Sequence, residues 1–107
     1  MSERQKLQLD IYTKIISSLE WVSKIFLFGS HAYGEPQEYS DLDLLVIVDN
    51  DLDPINAAFK INQQLIGKRT IPVDVVVNRK KDFEDAVEKN TIQRFISKSG
   101  ELLYEAQ

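Results

Sequence analysis

The run Leu44-Leu45-Val46-Ile47-Val48 is unbroken apolar sequence, with Asp43 before it and Asp49-Asn50-Asp51 after it. A short, continuous apolar run bounded by turn residues marks a central strand covered on both faces. The chain around it reads as an α/β or α+β domain, with a small mixed sheet flanked by helices. At 107 residues the length suits one domain with one core.

The remaining elements follow from periodicity and punctuation. Leu7, Ile11, Ile15 and Leu19 recur at steps of four and predict an amphipathic helix over 4–19 with these residues inward. Lys24 to Phe28 predicts a strand that ends at Gly29-Ser30, followed by a helical turn over 30–34. Gly34 and Pro36 forbid a regular element in the loop GEPQEY. Asp41 to Val48 is the strongest strand. Asp53 and Pro54 form a helix start; Ala57, Ala58, Ile61 and Leu65 continue it, and Gly67 suits its end. Ile71 to Val77 is a third strand, and 81–98 is helical with a break near Asn90 and a stop at Gly100. The segment ELLYE reads as a final short strand or a packed tail, and the order becomes α-β-α-β-α-β-α.

Composition narrows the function. Hydrophobic residues make up 43% and charged residues 28%, as in an ordinary soluble globule. There is no cysteine, so disulfides and thiolate metal sites are excluded and a reducing cytoplasm is expected. No stretch reaches the length of a membrane helix, and the charged N-terminus lacks the apolar segment of a secretory signal. The net charge of −4 argues against direct nucleic-acid binding. Two basic clusters, Lys68-Arg69 and Arg79-Lys80-Lys81, flank the third strand and read as solvated element ends.

The acidic residues are harder to dismiss. Glu35, Glu38 and Asp41 precede the apolar run and Asp43 sits within its strand. Side chains two apart on a strand share a face, which puts Asp41 and Asp43 about 7 Å apart on one side. Asp74 interrupts Val73, Val75 and Val77, and joins the same patch if its strand lies next to the first. Carboxylates brought together oppose each other's ionisation, and aspartate is a poor strand former. Divalent cations offset that cost, and hard oxygen ligands suit magnesium or manganese. Two such ions can hold both the attacking and the leaving oxygen of a phosphoryl displacement. A lone Asp41 would read as a turn residue, as Asp49, Asp51 and Asp53 do. Asp43 and Asp74, inside apolar strands, favour the functional reading. Gly29 lets the backbone approach a ligand, and Ser30 at a helical turn offers a hydroxyl and free N–H groups to a phosphate.

Gly29-Ser30, ten residues, then Asp41-x-Asp43, with Asp74 about thirty residues on, resembles the signature of the DNA polymerase beta-like nucleotidyltransferase superfamily. The stretch FGSHAYGEPQEYSDLDLLV and the ending GELLYE look most like its minimal nucleotidyltransferase (MNT) branch. The resemblance implies a single minimal nucleotidyltransferase domain over 1–107. It also implies a cytoplasmic enzyme with catalytic and metal-binding Asp41, Asp43 and Asp74, phosphate-binding Gly29 and Ser30, and two magnesium ions or manganese. The implied substrate is ATP, with AMP passing to a hydroxyl, and the implied partner is a small helical HEPN-type toxin modified on tyrosine, with this chain as its antitoxin. His31 and Tyr33 stand where many relatives carry arginine. Two other readings share the sequence: an antitoxin that neutralises its partner by covering it, through Phe95, Leu102, Leu103 and Tyr104, or an enzyme acting on a small molecule such as an antibiotic. Pairing between copies through ELLYE would make a homo-oligomer.

Overall fold

Strands β1 (Val22–Phe28), β2 (Leu42–Val48), β3 (Val73–Arg79) and β4 (Glu101–Glu105) form one sheet in the order β3-β2-β1-β4. The computed structural model describes residues 1–29, 32, 41–68 and 70–107. The expected turn over 30–34 and the loop GEPQEY therefore fall, but for Ala32, outside the described residues. β1 runs antiparallel to β2 and β4, whereas β2 and β3 are parallel. The sheet is mixed, as expected, and the apolar run Leu44–Val48 lies in β2, one of its two central strands.

Alternation along the strands divides the core in two. Ile25, Leu27, Leu42, Leu44, Val46 and Val48 face the larger cluster with α1 (Glu3–Ser17) and α2 (Pro54–Leu65). Phe26, Leu45 and Ile47 face a smaller cluster beneath α3 (Lys80–Val87) and α4 (Ile92–Ser99), where Phe83 packs on Phe26 with ring centroids 5.6 Å apart. Both faces of β2 are thus covered along most of its length, which is what an unbroken apolar strand requires.

The caps explain the helix limits. Ser2 and Gln5 form a capping box at the start of α1. The Asp53 carboxylate accepts from the Ile55 N–H at the start of α2, with Pro54 in the first turn. Gly67 follows that helix with φ +79°, the left-handed region glycine favours. The expected break in the 81–98 helix is a full interruption over residues 88–91. Thr91 accepts from the Arg94 N–H to start α4 and donates to the Ala86 carbonyl to tie α3 to it. The final segment ELLYE is strand β4 on the sheet edge.

The inward face of α1 corrects the sequence expectation. Leu7 and Ile11 point to solvent, Leu7 with 63% exposure, while Ile15 and Leu19 are only partly buried. The buried residues are Gln5, Gln8, Leu9, Tyr12 and Ile16. A polar stripe turns the helix. The Arg4 guanidinium donates to the Thr70 carbonyl (3.2 Å), Gln8 Oε1 accepts from the Thr70 N–H (3.1 Å), and the Tyr12 hydroxyl donates to the Ile71 carbonyl (2.5 Å). Bringing residues 4, 8 and 12 to that backbone carries Leu7 and Ile11 outward, because they lie on another side of a 3.6-residue turn.

Candidate active site

The strand register assembles the site. Phe28 lies opposite Asp43 on the antiparallel side of β2, and Asp74 lies opposite Asp43 on the parallel side. Directly paired residues project from the same face, so Phe28, Asp43 and Asp74 form one row across three strands. The row sits where β2 and β3 begin and β1 ends. The next rows on that face are Phe26, Leu45 and Val76, then Lys24, Ile47 and Asn78. Helices α3 and α4 cover Leu45 and Ile47. Toward the aspartates the cover thins: Asp43 is half-buried, Asp74 is exposed, and Val76 is 43% exposed.

Gly29 is built against Asp43. It follows β1 with φ +77°, and a Cβ at this position would overlap Oδ2 of the Asp43 carboxylate and stand 3.1 Å from its Cγ. Only glycine lets the backbone turn this way and approach this closely. The Ala32 N–H donates to the Gly29 carbonyl (3.1 Å). Asp41 lies in irregular, exposed chain immediately before β2 rather than in the strand, two residues from Asp43. Ser30, His31 and Tyr33 lie outside the described residues.

Among the described residues, no three His, Asp or Glu side chains are arranged to hold a metal ion. The register-matched pair Asp43 and Asp74 supplies two hard-oxygen groups on one face, with Asp41 just ahead. Magnesium commonly takes one or two carboxylates and completes its shell with water and phosphate, so this donor set fits such an ion. Of the basic residues, Arg79 ends β3 at the opposite end of the strand from Asp74 and pairs with Asp82 at 2.7 Å. Sequence reading missed the side chains that fasten the segment before Asp74. The signal was present in the steps of four from Arg4 to Gln8 to Tyr12, but the apolar step of Leu7 and Ile11 drew the eye to another face.

Residues 9–100 match the nucleotidyltransferase domain family. The chain belongs to that family. It is a nucleotidyltransferase. Over 83 residues it is 29% identical to a curated Methanocaldococcus jannaschii protein proposed to be a protein adenylyltransferase, covering 78% of this chain and 79% of that protein. Among solved structures it resembles a proposed nucleotidyltransferase from Sulfolobus solfataricus, with TM-score 0.62, 19% identity, and coverage of 94% of this chain and 78% of that one. It also resembles a Shewanella oneidensis complex of an MNT antitoxin with a tri-AMPylated HEPN toxin, with TM-score 0.57, 24% identity, and coverage of 96% and 74%. These likenesses show the nucleotidyltransferase fold, a mixed sheet with flanking helices. Among the described residues no helix is long and apolar enough to cross a membrane.

Proposed function

We propose that this nucleotidyltransferase moves AMP from ATP to a tyrosine hydroxyl of a small helical HEPN-type toxin, and that it acts as the antitoxin of that partner in the cytoplasm. The observation that carries the reading is the row of Asp43 and Asp74 with Gly29 pressed on the Asp43 carboxylate, within a nucleotidyltransferase fold. Likeness to an adenylyltransferase relative and to an antitoxin in complex with its AMPylated toxin supports the choice of nucleotide and partner.

Asp41, Asp43 and Asp74 would hold one or two magnesium ions, which neutralise phosphate charge and fix the triphosphate in line. Gly29 and Ser30 would bind the outer phosphates through backbone N–H groups and the Ser30 hydroxyl. Asp74, the most open member of the row, would accept the proton of the incoming hydroxyl. The acceptor oxygen forms its bond to the α-phosphorus as the bond from that phosphorus to the bridging oxygen breaks, and pyrophosphate leaves. The residues contribute position and charge more than covalent chemistry.

Intact mass of the helical partner after incubation with this chain, ATP and magnesium tests the proposal. A gain of one or more AMP groups is expected, and the Asp41→Asn, Asp43→Asn double variant abolishes it. Transfer that survives the double change refutes the aspartate mechanism. A stable complex with no added mass points to neutralisation by occupancy. Of the four residues expected for that reading, Phe95 and Leu102 are exposed, whereas Leu103 and Tyr104 pack against the larger core cluster.

A further inference from the structure

We propose that Gln8 and Tyr12 of α1 are positioning residues for Asp74, holding the start of β3 so that its aspartate stays level with Asp43. The inference rests on the reading of Asp74 as part of the active site. Among the described residues β3 is an edge strand, with β2 as its one neighbour, and the ladder between them begins at Leu42 and Val73. Asp74 is the second residue of β3, so its place depends on how the strand is started. Just ahead, the Pro72 carbonyl accepts from the Leu42 N–H at 2.9 Å, but proline has no N–H of its own to give.

The backbone of Thr70 and Ile71, ahead of that ladder, is held by α1. Gln8 Oε1 takes the Thr70 N–H and the Tyr12 hydroxyl meets the Ile71 carbonyl, with Gln8 and Tyr12 both buried. Arg4 adds a contact to the Thr70 carbonyl at the exposed rim. Ile71 and Val73 are themselves buried in the larger cluster, so the segment is fixed by packing and by hydrogen bonds together. Tyr12 stands three residues from Asp74 by way of Ile71. With the anchor gone, the strand start gains freedom where one neighbour alone resists it. In a reaction that depends on alignment, a displacement of about 1 Å can cost on the order of 100-fold in rate.

The test compares Tyr12→Phe and Gln8→Met with Val22→Ala, a control in the same apolar layer at the far end of the sheet. Amide hydrogen exchange and nitrogen–proton chemical shifts are read on the labelled chain without ligand. Exchange at Asp74, whose N–H points toward β2, should quicken by about fivefold relative to β1 in each anchor variant, the factor given by losing one net hydrogen bond. The amide shifts of Asp74 and Asp43 should move as well, and Val22→Ala should leave both unchanged. With ATP, magnesium and the helical partner, kcat should fall on the order of tenfold at constant KM for ATP. Gln8→Glu, which keeps an accepting oxygen for the Thr70 N–H, should restore most of the Gln8→Met loss. Unchanged exchange at Asp74, with unchanged Asp74 and Asp43 shifts, in both anchor variants would overturn the proposal. So would a Val22→Ala enzyme that loses kcat by the same factor at equal loss of Tm. A wild-type chain that transfers nothing, while the anchor variants still shift Asp74 and Asp43, would uphold the anchor and sink the functional reading instead.

Discussion

The two faces of the sheet are made from alternate residues of the same strands, yet they do different work. On one face the rows Leu27, Leu44, Val75 and Ile25, Val46, Val77 press against α1 and α2. On the other, apolar packing holds only the middle, and the row at one end is Phe28, Asp43, Asp74. A slip of one residue in β2 would send Asp43 into the larger core and Leu44 outward, so the buried face locks the register that the other face uses.

Adjacent residues on opposite faces give the sharpest way to break this comparison. Asp43→Asn should reduce nucleotidyl transfer on the order of 1,000-fold while shifting Tm by only a few degrees, measured by turnover and thermal melting. Leu44→Ala, one residue along, should do the reverse. Leu44 is wholly buried, and its truncation should destabilise the chain by about 2–5 kcal/mol in denaturant unfolding. The fraction that remains folded should keep most of its turnover. If Asp43→Asn unfolds the chain instead, the carboxylate is structural and the division between the faces fails.

A pair of glycines sharpens the same point at smaller effect. Gly29 and Gly67 have nearly equal φ, +77° and +79°. A Cβ at Gly67 would meet nothing within 4 Å, whereas at Gly29 it would run into Asp43. Both alanine variants should lose about 1 kcal/mol from the backbone conformation alone. Gly29→Ala should lose transfer as well, because the carboxylate must move; Gly67→Ala should keep it. Equal turnover in the two variants would show that the close approach of Gly29 has no part in the chemistry.

Much of this was legible in the sequence, for identifiable reasons. The apolar run Leu44–Val48, the Asp53-Pro54 helix start and the break near Asn90 are local signals, and the structure places each as expected. The meeting of Asp43 and Asp74 needed one added condition, that their strands be neighbours, and the parallel ladder meets it. Asp41 was expected within the strand, but β2 starts at Leu42. The face of α1 was not legible, because three side chains reach backbone some sixty residues away. Hydrophobic periodicity records only a helix's own pattern and is blind to a polar contact at that separation.

That misjudged face supplies the smallest predicted effect and the finest test of how α1 sits. If Leu7 packed inward, as its spacing with Ile11 suggests, Leu7→Gln would cost several kcal/mol. With the side chain 63% exposed and no part of either core cluster, the change should fall within about 0.5 kcal/mol of wild type in urea unfolding. Ile16→Ala, wholly buried on the same helix, should lose about 2–5 kcal/mol. The contrast depends on the rotation of α1, and that rotation is what brings Gln8 and Tyr12 to the segment before Asp74. A large loss from Leu7→Gln, with a small one from Ile16→Ala, would mean that α1 is turned by a good part of a revolution. The anchor at Thr70 and Ile71 would then have no helix to come from.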